Sequence, residues 1–515
     1  MDKAGTNNVS SFNRQLLLNL SFFICVAIIL FTRLQLFFSV NIDYIDSDQP
    51  FIWAGAKDYS QGLFYEPRFY GQNYNTFMEG LFAVPFIWLH VPVYYAVPIA
   101  THIIFLFPFL FSAFYLFFNG RKINAVLVVS LILCMPQGYD IMSSLPRGFV
   151  TAVFFSCFFV VSLLHPFRKG AMVLNMVMAL LGYFVSANSL LVSLPFLFYL
   201  FLHNYKNRFF YVAAASCFLL FIPLHYLFDG FYKRHPEYVI YAFEHDFSWK
   251  YFAENLSNPN RLLVHAGFFT EGNCIPLLFV LSTLGFFLFK NNRNAFYAYL
   301  VFLAFFLMTW STGKSRDGVL WPWYSFSRLF LGLPFAIYLF TALLPMRFNR
   351  AVVALLIIVF GFSAVKIVNF KKDMAYHTQE KLWTGVHLLS LKSTLEGINF
   401  YKATCKKMEV GFFLISNGFW LNTYLDYGGP ACYDDFPSTE ETNSERRYWV
   451  REGNKNKVIP KFLFLSSMYD FDKEIPPSNE FELKRLDDYG LMLVTNNRLP
   501  MQQFIDITKK VEGID

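Results

Sequence analysis

Residues 15–38 read QLLLNLSFFICVAIILFTRLQLFF, and residues 39–50 continue SVNIDYIDSDQP. The first stretch carries a single charge, Arg33, and exceeds the roughly 20 apolar residues that a helix needs to cross a bilayer. It is too long for the apolar region of a signal peptide, and no small-x-small cleavage site follows it, so it reads as an anchor that stays in place. The second stretch sets Asp43, Asp46 and Asp48 within six residues just past that helix.

The rest of the chain repeats the first pattern. Apolar runs at 94–118, 123–136, 149–164, 171–185, 187–203, 209–228, 274–290, 294–310, 326–345 and 351–368 bring the expected spans to about eleven. Composition agrees: 55% of the 515 residues are hydrophobic, 15% are charged, and 66 are Phe. An average soluble domain carries about 25% charge. A single soluble core stops growing at roughly 250–300 residues, so this much apolar surface excludes an ordinary soluble enzyme, a disordered chain and a fibrous repeat. The expected fold is an all-α polytopic membrane domain over 1–368, followed by a polar α/β domain over 369–515.

Short loops give the direction. Lys3 and Arg14, Arg121 and Lys122, Arg168 and Lys169, Lys206 and Arg208, Lys290 and Arg293, and Arg347 and Arg350 fall on alternate turns. By the positive-inside rule that side is cytoplasmic. The N-terminus is then inside, and an odd span count puts 369–515 outside. The basic residues are spread over loops, so the net charge of +7 is not a nucleic-acid footprint. Polar mass gathers on the outer side, in 39–93, 137–148, 229–273, 311–325 and the tail. A transporter instead concentrates polar chemistry at mid-membrane in broken helices.

In the first outer loop, Asp48-Gln49-Pro50 suits a helix start, giving a surface helix over 50–61 and a second over 73–90. Asp46 and Asp48 read either as a capping acid with a solvated neighbour, or as a catalytic base at the membrane face. Two close carboxylates also suit a divalent cation.

At this point the sequence resembles the C-type membrane glycosyltransferases, which use polyprenyl-phosphate sugars, and among them the bacterial protein-mannosyltransferase-like and aminoarabinose-transferase-like branch. Asp48-Gln49 stands where that superfamily has an Asp-Glu pair, and Phe64-Tyr65-Glu66-Pro67-Arg68-Phe69-Tyr70 is similar to its second loop element. Gln49 replaces the second acid, and Pro67 follows Glu66 directly. The resemblance implies a catalytic loop over 39–93, with Asp48 or Asp46 as base and Glu66 and Tyr70 in the site. Any metal would lie between Asp46, Asp48 and Glu66.

A polyprenyl-phosphate leaving group needs a fixed cation, and the planar fork of arginine suits phosphate. Arg328, in Tyr324-Ser-Phe-Ser-Arg328-Leu-Phe-Leu-Gly-Leu-Pro334, is the leading candidate, with Arg147 and Arg68 next. The alternative for Arg328 is an arginine snorkelling to headgroups. His102 and His225 read as core residues. Trp53, Tyr59, Tyr65, Tyr70, Tyr74 and Trp310 suit an interfacial belt or a sugar platform.

In the tail, 411–416, 462–466 and 491–495 read as buried strands of parallel type. Cys405 and Cys432 are the one pair of the seven cysteines placed to form a bridge. The expected protein is thus an inverting glycosyltransferase of the cell membrane. Its partners would be a polyprenyl-phosphate sugar, membrane lipids and a glycan, lipid or protein acceptor. A transporter or flippase of lipid-linked sugars and a non-catalytic assembly protein are the rivals.

Overall fold

A computed structural model describes the chain apart from residues 1–3, 46–47, 147–150, 240–245, 264–265, 313–329, 380–388, 417–422, 443–446, 476–477 and 514–515. It falls into two compact units. A helical unit takes Met1–Asn41, Pro98–His225 and Glu244–Val386, and a mixed unit takes Ile42–Val97, Tyr226–Phe243 and His387–Asp515.

Among the described residues, six helical segments are long and apolar enough to cross a membrane: Arg14–Asn41, Val93–Phe118, Ala187–Asn204, Arg208–Arg234, Arg293–Ser311 and Arg350–Asp373. The other expected spans correspond to apolar helices of 10–17 residues, among them Lys122–Leu133, Lys169–Val185, Ile275–Asn291 and Leu333–Ala342. Only 11% of the most apolar window of Arg208–Arg234 is buried. Phe218, Leu219 and Ile222 on it are more than half exposed. A helix that apolar and that bare suits a lipid surround, since soluble monomers rarely leave such patches open. Lipid tails are as apolar as the side chains, so helices must associate through packing. The abundant Phe supplies it: Phe22 stacks on Phe117 with centroids 4.4 Å apart, and Phe196 lies 4.6 Å from Phe340.

Arg33 is buried, at 4% exposure, rather than facing headgroups. Its guanidinium donates to the Asp140 carboxylate at 3.3 Å and to Ser143 Oγ at 2.8 Å, and lies 3.9 Å from the Phe105 ring. Lys366 pairs with the same Asp140. His102 is a buried residue whose Nε2 lies 2.9 Å from Asn41 Oδ1.

In the mixed unit the loop after the first helix folds against the tail. Strand β1 (Tyr44–Ile45) pairs antiparallel with β2 (Leu389–Ser390). The tail holds a five-stranded sheet of β3 (Phe412–Ile415), β4 (Ser438–Glu441), β5 (Lys461–Leu465), β6 (Phe481–Arg485) and β7 (Leu491–Asn496), in the order β4-β3-β5-β7-β6. β3 runs parallel to both β4 and β5, but β7 is antiparallel to β5 and β6, which corrects the expectation of a third parallel strand. β7 is an inner strand of a hairpin closed by Gly490 at φ +90°, and burial beside β5 gives it the continuous apolar run of a parallel strand. Cys405 and Cys432 are free, against the expected bridge: Cys405 is packed into the apolar cluster of Phe413, Ile415 and Leu463.

Candidate active site

The loop helix is Gln49–Ser60, preceded by Asp48 and entered through Pro50. A second helix, Met78–Trp88, lies between Asn75 and His90, both at positive φ. The two helices approach closely because small residues face the contact. A Cβ on Gly80 would lie 3.1 Å from the backbone nitrogen of Ala56, and one on Gly55 would lie 2.8 Å from Phe77 Cγ. That packing holds the far end of the first helix, with Asp58, over residues 65–77.

Asp58 lies in the last turn of its helix, where the backbone dipole disfavours an anion. Its Oδ2 accepts from the Tyr70 hydroxyl at 2.5 Å. Burial raises its carboxyl above the usual carboxylate range, while the Tyr70 hydrogen bond and the charge of Arg447 pull it back down. Glu66 is buried at 1% exposure. Its Oε1 accepts from Gly71 N at 3.3 Å, and its Oε2 accepts from the Tyr232 hydroxyl at 3.0 Å. Burial outweighs both bonds and pushes the carboxyl up to about 9, so Glu66 is neutral at pH 7. Tyr59, pushed up mainly by burial and then by the charges of Glu66 and Asp58, stands close to both acids.

Cations and rings complete the cluster. Arg68 donates from Nη2 to Asp229 Oδ1 at 2.9 Å, and its backbone N donates to the Tyr232 hydroxyl at 3.1 Å. From the tail comes Arg447, paired with Asp426 and lying 4.9 Å from the Tyr427 ring. Burial works against its charge, but Asp426, Tyr427 and Asp58 outweigh that and raise its pKa. Asp426 and Tyr427 lie in a π-helical turn, Tyr424–Gly428, a rare geometry that recurs at functional sites. Trp449 stacks on Tyr65 at 4.3 Å, meets Tyr70 edge-on at 4.9 Å, and has Tyr238 6.0 Å away. The cluster therefore sets Glu66 and Asp58 beside two guanidinium groups, each paired with an aspartate, and an aromatic platform.

Of the expected site residues, Glu66, Tyr70 and Arg68 belong to this cluster. Asp48 is half-buried at the opposite end of the same helix, and its side chain makes no capping hydrogen bond. At 1.5 Å rise per residue, the ten residues from Asp48 to Asp58 span about 15 Å. Asp46, Arg147 and Arg328 lie outside the described residues. Of the metal set implied by the resemblance, Asp46 lies outside the described residues, and both Glu66 oxygens already accept hydrogen bonds from Gly71 and Tyr232. Among the described residues no group of three or more His, Cys, Asp or Glu could hold a metal ion.

Asp58, Arg447, Trp449 and Tyr232 were missed. A signal existed for Asp58 alone, as an acid in a last helical turn. The others come from parts of the chain more than 150 residues away and carry no local pattern. No protein-family model matches the sequence, and neither curated proteins nor solved structures give a match.

Proposed function

We propose that the protein is an integral-membrane glycosyltransferase. It moves a sugar from a polyprenyl phosphate to an acceptor hydroxyl on a glycan, lipid or protein at the outer face of the cell membrane. About eleven spans, six of them long, would put the N-terminus inside and residues 369–515 outside. The observation that carries the reading is a pair of acids beside an aromatic platform, half-buried Asp58 and buried Glu66, both raised by burial and Glu66 up to about 9. Environments that push two carboxyls apart are how one site holds both an acid and a base at neutral pH.

In the reaction, the acceptor oxygen attacks the anomeric carbon. The bond from that carbon to the phosphate oxygen breaks, and its electron pair leaves with the phosphate. The acceptor proton passes to Asp58, whose hold on a proton burial strengthens while Tyr70 and Arg447 partly offset it. Attack opposite the phosphate inverts the centre. Glu66, neutral, adds no negative charge beside the departing phosphate, and Arg447 supplies positive charge, with Arg328 and Arg147 as the further candidates. Tyr65 and Trp449 present ring faces to a sugar.

One helix carries two candidate bases, and at about 15 Å apart they cannot serve one bond. Sugar transfer from polyprenyl phosphate in detergent separates them. A general base contributes roughly 10²–10⁴-fold, so Asp58→Asn should lose at least a hundredfold while Asp48→Asn loses a few-fold. The reverse order moves the site to the helix start, where the family resemblance puts it. Full activity in both variants removes both acids as the base, and no transfer by the native chain removes the enzyme reading. Transport of a lipid-linked sugar is the second reading, and the buried Arg33–Asp140–Lys366 cluster favours it, because charges inside a membrane unit often mark a transport path.

A further inference from the structure

The helical unit contains a cleft of about 660 Å³ whose wall holds two cations, Arg121 and Lys122, with no carboxylate among the described lining residues. Arg121, Lys122, Asn124 and Asn292 supply most of its polar wall, and Leu18, Leu343 and Leu344 line it with apolar surface. It forms where helix ends meet: Val93–Phe118 stops, the chain turns through Gly120 at φ +78°, and Lys122–Leu133 begins. Leu333–Ala342 ends and Arg293–Met308 starts at the same place. This is the side on which the sequence gathers its paired basic residues.

Both cations are positioned by neutral groups. Arg121 donates from Nη1 to Ala342 O at 3.1 Å, the one hydrogen bond its guanidinium makes among the described residues, and the fork carries five donors. Lys122 Nζ donates to Asn19 Oδ1 at 2.9 Å and lies 5.2 Å from the Phe117 ring. Neither forms an ion pair among the described residues. Asn124 Nδ2 donates to the carbonyls of Thr341 and Leu344 at 2.9 and 3.0 Å, which ties the helix end to the cleft. The positive end of the Lys122–Leu133 dipole adds to the field. A cleft of this size holds more than one phosphate, and its apolar wall would be wasted on a small ion.

We infer that this cleft binds the phosphodiester headgroup of an anionic phospholipid. Arg121 and Lys122 grip the phosphate, Asn side chains meet the glycerol, and Leu18, Leu343 and Leu344 take the start of an acyl chain. The inference is independent of the glycosyltransferase reading.

Native mass spectrometry of the full chain in detergent tests it, with phosphatidylglycerol, phosphatidylcholine and inorganic phosphate added separately. Phosphatidylglycerol should be retained at least tenfold better than phosphatidylcholine, and millimolar phosphate should not displace it. Arg121→Gln with Lys122→Gln should abolish the preference while leaving helicity by circular dichroism unchanged. If that double variant unfolds, Lys122→Gln alone, which keeps a donor for Asn19, should lose the preference several-fold. Equal retention of the two lipids, displacement by phosphate, or a preference that survives substitution in a folded variant would overturn the inference.

Discussion

Glu66 makes a measurable demand on the pH dependence of stability. In the unfolded chain its carboxyl titrates at about 4.5, and in the folded protein at about 9. Between those values the folded state holds a proton that the unfolded state has released, so stability is full below pH 4.5 and falls as pH rises towards 9. Each pH unit costs about 1.4 kcal/mol, which gives about 4 kcal/mol between pH 5 and pH 8. At about 2–4 °C per kcal/mol for a unit of roughly 200 residues, the melting temperature should drop by about 8–16 °C over that range from this group alone. Glu66→Gln removes the titration. It keeps a carbonyl acceptor for Gly71 N–H, and its amide can donate to the Tyr232 hydroxyl. Thermal unfolding of purified protein in detergent at pH 5, 6, 7 and 8 should therefore give a flatter curve for Glu66→Gln than for the native chain. Parallel curves for the two proteins would mean that Glu66 is not held neutral, and the argument for an acid–base pair would go with it.

Two further outcomes follow from the packing and the charge pattern. Gly55→Ala gains about 1 kcal/mol of helix propensity but drives a methyl to 2.8–3.0 Å from the Phe77 ring, which Phe69 and Tyr70 fix in place; overpacking costs about 1–3 kcal/mol, so the melting temperature should fall. A phosphatase reporter fused after residue 515 should be active and a cytoplasmic reporter there inactive; the opposite pattern would reverse the orientation read from the paired basic residues.

Helices were legible because apolar runs of 17 residues or more have few alternatives, and both loop helices announced themselves through Pro50 and the apolar stretch around Met78–Trp88. The direction of β7 was hidden, because an inner antiparallel strand and a parallel one bury the same residues. For the site, Glu66, Arg68 and Tyr70 could be named from one stretch of loop. Arg447 and Trp449 could not, since their positions relative to Tyr65 and Tyr70 depend on how the tail folds back. The weight given to Asp48 came from its place after the first helix, whereas the acid that meets Tyr70 in the structure is Asp58, one helix length on.

The mixed unit is assembled from stretches made far apart in time. Residues 42–97 leave the ribosome about 300 residues before 387–515, a lag of roughly 15–60 s at 5–20 residues per second. Throughout that interval β1 has no partner strand, and Tyr65 has no Trp449 to stack on. Asp58 also waits for the charge of Arg447. Assembly of the cluster is thereby tied to the completion of synthesis: a chain released before the tail carries Asp58, Glu66 and Tyr70 without Arg447 or Trp449.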